Sequence, residues 1–333
     1  MLIPINTDAP IYHFPWATIG LIVANCLCYV ATGFAHPALL DYWVLEYGNG
    51  INPLEWFTAA FAHAGIIHLA GNMFFLWGFG LVVEGKLGWK RFLKLYFVLV
   101  MCWGAGVDLL TLHRTDAYVL KHVLPSHGIA DLDELTRIVE EEHPRLTPEE
   151  KAEFIHEILS GMKGRCLGAS GVIFALLSIS LVWAPKNEMS LLVFVFFRPV
   201  TFELSILWYS LIYIGFAVLG LFADQFAMGS SGLHMVGIII GLVAGLLYLV
   251  LGWVNCENWD LISVFTGHYG QFAREDWQLG AFSRHGNDYG EVPLPQGTGN
   301  DADSVTGSES LQRIGRLIDA GDYVLASEEM LAL

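Results

Sequence analysis

Residues 233–253 read LHMVGIIIGLVAGLLYLVLGW, a stretch without any charged side chain. A helix needs about 20 apolar residues to cross the ~30 Å hydrocarbon core of a bilayer, so this segment predicts a transmembrane helix. Five further, predominantly apolar runs lie at 16–34, 60–83, 92–112, 168–184 and 203–223. In lipid, a helix satisfies all of its backbone groups within its own segment. We therefore predict an all-α, polytopic membrane protein built as a bundle of six transmembrane helices.

The overall composition also indicates a membrane protein. Of the 333 residues, 54% are hydrophobic and only 15% are charged, whereas a soluble domain carries about 25% charged residues. The formal net charge of −16 comes mostly from two polar segments, 111–164 and 255–333. No cluster of Lys and Arg provides the basic surface that nucleic acids require. The lipid bilayer is therefore an expected partner, and nucleic acid is not.

These polar segments divide the chain into a membrane core, an insertion and a tail. Residues 1–110 and 165–254 are predicted to form the core, with 111–164 as an acidic, helical insertion between the third and fourth spans. Within the insertion, Thr147-Pro148-Glu149-Glu150 has the pattern of a capping box with proline at the first helical position. The insertion is therefore expected to contain a helix that begins there.

The tail, residues 255–333, divides again by composition. Residues 285–307 are rich in Gly, Asn, Asp and Pro, which is typical of a linker. Residues 308–331 carry leucines and isoleucines at helical spacing. A short amphipathic helix is therefore expected after the linker.

Basic residues predict the orientation of the spans. Lys86, Lys90, Arg91 and Lys94 cluster in the connection after the second span, and no Lys or Arg precedes Lys86. By the positive-inside rule this connection is cytoplasmic. Both termini are then cytoplasmic, and the insertion lies on the exoplasmic side. Because no basic region precedes the first span, we expect it to be retained, in a multi-pass protein of a prokaryotic cytoplasmic membrane.

Polar residues inside a bilayer are costly, so they are candidates for function. One of them, Ser170, opens the fourth span between Gly168 and Gly171. Flanking glycines allow another chain to approach closely, and the free N–H groups of a helix N-terminus suit a developing oxyanion. A serine that only bonds its own helix or a neighbouring one is the alternative.

His234 opens the sixth span, and Gly237 and Gly241 follow on the same helical face. Small residues at four-residue spacing allow helices to pack closely. Packing this face against the small residues of the fourth span would bring His234 beside Ser170, as a His-activated serine requires. The alternative is a histidine that only hydrogen-bonds a group between helices.

A third polar group lies at the start of the second span. His68 and Asn72 are four residues apart and project from one helical face, with His63 just before them. Two donors on one face can stabilise a carbonyl oxygen as it becomes negative. The alternatives are a hydrogen-bonded pair between helices and a metal site. A metal fits poorly, because no carboxylate lies at ligand spacing and Asn is a poor ligand for zinc.

The five cysteines show neither a disulfide framework nor a paired CxxC metal spacing. Three of them, Cys26, Cys28 and Cys102, lie in apolar runs, where cysteine commonly acts as a small hydrophobic residue. No cofactor and no metal are therefore expected.

Three motifs together resemble the signature of the rhomboid intramembrane serine proteases. They are HxxxxHxxxN at 63–72, GASG at 168–171 and HxxG from His234, in this order on spans two, four and six. The resemblance covers roughly residues 16–253. It implies a rhomboid-like bundle of six transmembrane helices. It also implies a serine endopeptidase that hydrolyses peptide bonds in or near the transmembrane segments of membrane proteins.

The resemblance implies a role for each matching residue. Ser170 would be the nucleophile and His234 its general base, a dyad without a carboxylate. His68, Asn72 and the backbone N–H of Ser170 would form the oxyanion hole. The supporting residues would be His63, Gly168, Gly171, Phe174, Gly237 and Gly241.

Two departures from the family pattern stand out. Phe174 occupies the position of a tyrosine that stacks on the catalytic histidine. The connection after the first span, residues 35–58, lacks the Trp-Arg pair that is typical of the family. Stacking on the histidine should survive the first change, whereas the second leaves the anchoring of this connection open.

The sequence is also compatible with other functions. A rhomboid-like protein without activity would bind transmembrane partners but not cleave them. Gly104-Ala105-Gly106-Val107-Asp108 resembles the GxGD motif of intramembrane aspartyl proteases, with one extra residue. A small transporter would require broken helices and a charged pathway at mid-membrane. The physiological substrate, the cleavage position and the oligomeric state do not follow from the sequence.

Overall fold

The structure is a computed structural model that describes residues 2–35, 39–196, 198–223 and 229–268. These residues belong to the first of two compact units, Met1–Gln278. The second unit, Leu279–Leu333, lies outside the described residues, and so do the predicted linker and the predicted amphipathic helix of the tail.

Most of the described chain is helical. The helices are α1 (Trp16–Val30), α2 (Leu39–Trp43), α3 (Pro53–Ala59), α4 (Ile66–Leu87), α5 (Trp89–Thr111), α6 (Asp116–Tyr118), α7 (Leu132–Glu142), α8 (Pro148–Lys163), α9 (Ser170–Trp183), α10 (Ile206–Ala223), α11 (Ser230–Val250) and α12 (Leu261–Thr266).

The described strands form two antiparallel sheets. The strands are β1 (Ile3–Thr7), β2 (Leu45–Glu46), β3 (Arg165–Cys166), β4 (Glu188–Val195) and β5 (Arg198–Ser205), in the orders β1-β4-β5 and β2-β3. The apolar run 190–197, too short for a span, thus contributes most of β4. The fifth span begins at Ile206 and not at the predicted 203, because residues 198–205 pair with β4.

Five described helices are long and apolar enough to cross a membrane, namely Trp16–Gly33, Ile66–Leu87, Trp89–Thr111, Ile206–Ala223 and Ser230–Val250. They correspond to five of the six predicted spans. The start of the second is shifted, because residues 60–65 form a loop before α4. The prediction of a polytopic helical membrane protein is confirmed.

The sixth predicted span is the short helix α9, with 14 residues. At 1.5 Å per residue it is about 21 Å long, less than the ~30 Å hydrocarbon core. Every residue from Ala175 to Trp183 is buried, and α9 contacts α4, α5, α10 and α11. It is a short central helix enclosed by protein, and it occupies the fourth predicted run, 168–184.

Glycines bring α9 and α11 into backbone contact. A Cβ at Gly237 would collide with the carbonyl of Gly171, and one at Gly241 would collide with the carbonyl of Ala175. The predicted packing of the two small faces is confirmed. It places the first turns of α9 and α11 side by side.

A buried carboxylate fastens α1 to α4. Glu84 is fully buried and accepts hydrogen bonds from the backbone N–H of Ala17 (2.8 Å), the backbone N–H of Thr18 (2.7 Å) and the Thr18 hydroxyl (2.7 Å). The free N–H groups at the start of a helix favour a negative charge, which explains a carboxylate at this position.

The connection between α1 and α4 is anchored on α5. The indole N–H of Trp56 and the backbone N–H of Asn52 both donate to the carboxylate of Asp108. Trp56 also fills the space beside Gly104, where a Cβ would collide with it. This contact gives Asp108 a structural role, which disfavours the aspartyl protease alternative.

The insertion has a small apolar core of its own. Its buried members are Val119, Leu124, Leu135, Val139 and Leu159. The predicted capping box at Thr147 is present and begins α8. An ion pair of 2.7 Å between Lys163 and Asp116 links the beginning and the end of the insertion. After the insertion, β3 pairs with β2, and the chain continues into α9.

Candidate active site

A cavity of about 480 Å³ lies among α4, α9, α10 and α11. Its lining includes aromatic rings together with a few polar groups. The polar groups are His68, Asn72, Ser170, Tyr213, Ser230, Ser231 and His234. The structure therefore brings together the predicted polar residues of the second, fourth and sixth spans.

Ser170 and His234 are in hydrogen-bonding contact in this cavity. The distance from Ser170 Oγ to His234 Nε2 is 3.2 Å. Ser170 is the first residue of α9, and His234 lies in the second turn of α11. The close approach of the two helix backbones at Gly237 makes this contact possible, because the side chains of Ser170 and His234 can then reach each other.

Phe174 orients the histidine ring. Its ring lies 4.1 Å from that of His234, centroid to centroid, with an angle of 16° between the planes. Phe174 is one turn after Ser170 on α9, so both residues face α11. The predicted stacking is present, and it fixes the plane of the imidazole while Nε2 points towards Ser170.

The oxyanion-hole candidates surround Gly168. A Cβ at this glycine would lie 2.8 Å from His68 Cε1 and 3.5 Å from Asn72 Nδ2. Gly168 also has a φ of +112°, which favours glycine, and its N–H donates to the carbonyl of Ala59 at 2.7 Å. Glycine therefore keeps open a space into which His68 and Asn72 project.

Asn72 has a donor without a partner. Its side-chain Nδ2 is buried and makes no hydrogen bond with any described residue. Burying an unpaired amide is costly, and such groups are rare. A donor held ready beside Gly168 and Ser170 fits a site where an acceptor arrives only with a substrate.

His63 lies outside the cavity lining. It is buried, its Nδ1 is 3.3 Å from the carbonyl of Phe61, and its ring lies 5.2 Å from that of His68. Its position suits the support of His68 better than contact with a substrate.

Trp103 is a site neighbour that the sequence analysis missed. Its indole N–H donates to the carbonyl of Leu233 at 3.1 Å, and its ring occupies the space that a Cβ at Gly171 would need. Trp103 thus packs against Gly171 and hydrogen-bonds Leu233, the residues next to Ser170 and His234. The available signal was a tryptophan inside a span, away from the interfaces where tryptophans concentrate.

The chemistry available in the cavity is that of a serine and an imidazole. No carboxylate lines the described part of the cavity, and the described residues contain no group of His, Cys, Asp or Glu able to hold a metal. Cys166, four residues before Ser170, is a poor rival nucleophile, because burial raises the pKa of its thiol to about 12.

Residues 52–130 match the family model described as the Rhomboid domain. This range contains α3, α4 and α5, and with them His63, His68 and Asn72. No curated protein matches the chain. The chain is therefore a multi-pass, helical membrane protein that carries a match to the Rhomboid domain over residues 52–130.

Proposed function

We propose that this protein is an intramembrane serine endopeptidase that cleaves other membrane proteins with a Ser170–His234 dyad. The observation that carries this proposal is the 3.2 Å contact between Ser170 Oγ and His234 Nε2, in a cavity lined by four apolar helices. A histidine that accepts the hydroxyl proton converts serine into a nucleophile.

The reaction follows from this geometry. His234 Nε2 takes the proton as Ser170 Oγ attacks the scissile carbonyl, and it later passes that proton to the leaving amine. The negative oxygen of the tetrahedral intermediate receives hydrogen bonds from Asn72, His68 and the backbone N–H of Ser170. A water then releases the acyl group with His234 again acting as the base.

The substrate is a transmembrane segment that unwinds near its end. A regular helix hides its carbonyl groups in its own hydrogen bonds, so only an unwound segment presents one to Ser170. His68 and Asn72 bound the space beside Gly168, which favours a small residue before the scissile bond.

The orientation follows from the basic residues after the second span. We propose cytoplasmic termini in a prokaryotic cytoplasmic membrane, with the insertion on the exoplasmic side. Ser170 then lies below the exoplasmic surface, because α9 begins inside the fold.

A fluorophosphonate probe tests the dyad directly. Because the probe forms a stable adduct only with an activated serine, mass spectrometry is expected to locate it on Ser170 in the intact protein. Ser170→Ala should lose the adduct. Ser231→Ala is the matched control, since Ser231 lines the same cavity, and it should keep the adduct. An adduct on another residue, or none, would refute the assignment.

Asn72→Ala is expected to lower kcat by about 10²-fold with little change in KM, because it removes a donor used in the transition state. The measurement is steady-state cleavage of a transmembrane reporter in liposomes. Asn25→Ala is the control, since Asn25 is also a buried asparagine of a membrane helix but lies on α1, outside the cavity lining. An unchanged kcat in Asn72→Ala would remove Asn72 from the oxyanion hole.

A further inference from the structure

A second cavity, the α1–α4 groove, has a volume of about 500 Å³ and is lined by residues of β1, α1 and α4. Helix α4 contributes residues at alternating intervals of three and one, which form a single stripe along the helix. These residues are Ile66, Leu69, Ala70, Met73, Phe74 and Trp77. His68, Asn72 and Phe75, which line the active-site cavity, project from the opposite face of α4. One helix therefore separates the groove from the candidate active site.

The lining of the α1–α4 groove is apolar. Besides the stripe on α4, it contains Ile22 and Cys26 of α1 and Pro4 and Ile5 of β1, and none of the described lining residues is charged. The indole N–H of Trp77 already donates to the carbonyl of Ile5 at 3.1 Å. A polar ligand would lose its hydrogen bonds to water here, so the groove suits a hydrocarbon.

Lipid lies at the mouth of the α1–α4 groove. The helices on its two sides, Trp16–Gly33 and Ile66–Leu87, are both long and apolar enough to cross a membrane. Val23, which follows Ile22 on α1, is 51% exposed, and Phe74 on α4 is 44% exposed. Exposed apolar side chains on membrane-crossing helices contact the surrounding acyl chains. Phospholipids are therefore the molecules next to the opening.

The dimensions of the groove distinguish between possible occupants. From Ile66 to Trp77 the stripe on α4 is about 16 Å long, at 1.5 Å per residue. This length matches one leaflet of the bilayer, about half of the ~30 Å hydrocarbon core. The mean cross-section is about 30 Å², whereas a helix about 10 Å across needs about 80 Å². The groove thus has the length of one acyl chain and is too narrow for a transmembrane helix.

We propose that the α1–α4 groove is a binding site for one acyl chain of a membrane phospholipid. The chain enters beside Ile66, at the beginning of α4, and its end contacts Pro4 and Ile5 of β1. It fills the space behind the face of α4 that carries His68 and Asn72. The proposal does not depend on proteolysis, because its tests measure lipid binding.

The first test uses the unchanged full chain in detergent. An equimolar amount of a phosphatidylcholine with a diazirine in the middle of one acyl chain is added and irradiated, and mass spectrometry locates the adducts. We expect them on residues of the groove such as Cys26 and Met73, and unlabelled phosphatidylcholine should suppress them by competition.

The lipid-facing surface of α11 provides the comparison within the same sample. Val243 and Leu247 are 54% and 50% exposed and lie outside the groove lining. They should carry about tenfold fewer adducts, the ratio that a binding preference of about 1.4 kcal/mol produces. Equal labelling of α11 and the groove, or labelling that does not saturate, would overturn the proposal.

The second test fills the groove. Ala70→Phe places a ring in the middle of the stripe on α4 and should lower the yield of groove adducts about tenfold, to the level of the α11 surface. Gly20→Phe is the matched control, because it adds the same ring to α1 at an exposed position where no atom lies within 4 Å of a Cβ. It should keep the adducts. Ala70→Leu is a smaller change that should act in the same direction even if Ala70→Phe does not fold. Adducts that persist in the folded Ala70 variants would overturn the proposal.

A third test distinguishes lipid from a second copy of the chain. Cys26 in the groove and Cys102 on α5 are both exposed. In liposomes, a short thiol crosslinker is applied to variants that keep only one of these two cysteines. With lipid in the groove, Cys26 should join two copies no more often than Cys102 does through chance collisions. Crosslinking through Cys26 well above that level would place a second copy over the groove and overturn the proposal.

Discussion

Cleavage of a transmembrane reporter in liposomes is expected to fall by about 10³-fold or more in both Ser170→Ala and His234→Ala. The reason is the 3.2 Å contact between Ser170 Oγ and His234 Nε2. Without the serine there is no nucleophile, and without the histidine the hydroxyl keeps its proton. The double variant should be no worse than either single one, because residues that act as one unit do not contribute additively.

The controls for this experiment come from the same protein. Ser178→Ala removes another buried hydroxyl of α9, which donates to the carbonyl of Phe174 in its own helix at 3.0 Å, and it should keep nearly full activity. His122→Ala, on the exposed surface of the insertion, should do the same. If Ser170→Ala retained activity while remaining folded, the nucleophile would have to be sought elsewhere. If the intact protein failed to cleave, a binding protein without activity would be favoured.

Gly237→Ala is expected to destabilise the fold by about 3 kcal/mol, although it adds only one methyl group. The added Cβ would collide with the backbone carbonyl of Gly171, and a backbone inside a packed bundle cannot move aside as a side chain can. The helices α9 and α11 must then separate. Reversible unfolding in bicelles measures the change in the free energy of unfolding.

The same substitution should also reduce catalysis. A separation of about 1 Å between α9 and α11 would misplace His234 relative to Ser170, which costs about 10²-fold in rate. Gly215→Ala on α10 is the matched control, because no atom lies within 4 Å of a Cβ at that position. It should leave stability and activity nearly unchanged, or raise stability slightly through better helix propensity. Equal effects of the two substitutions would contradict the close packing.

Much of the architecture was predictable, because the length and hydrophobicity of a segment decide whether it can cross a bilayer, and both are local properties of the sequence. The length and the lack of charge of the runs 16–34 and 233–253 were enough to identify both as spans. The glycine face of α11 could also be paired with α9, because small residues at helical spacing specify close contact. The capping box at Thr147 was equally local, and it is present in the structure.

Long-range pairing could not be predicted in the same way. Residues 198–205 were assigned partly to the fifth span, because an apolar strand and the end of an apolar helix look alike over a few residues. Their pairing with β4, and that of β4 with β1 far away in sequence, depends on the folded arrangement. The burial of the fourth run inside the bundle could not be predicted either, because a sequence does not show whether protein or lipid surrounds a helix.

The sequence by itself determined the class of protein and the residue types of the candidate site, since both depend on local composition and motif spacing. The tertiary structure decided which of these residues meet. It placed Ser170 against His234, left the Asn72 amide without a partner and joined Leu2 to Tyr209 across 207 positions of sequence. The physical reason is that such contacts depend on how whole helices pack, and a close approach of two backbones at Gly237 sets distances that no single segment encodes.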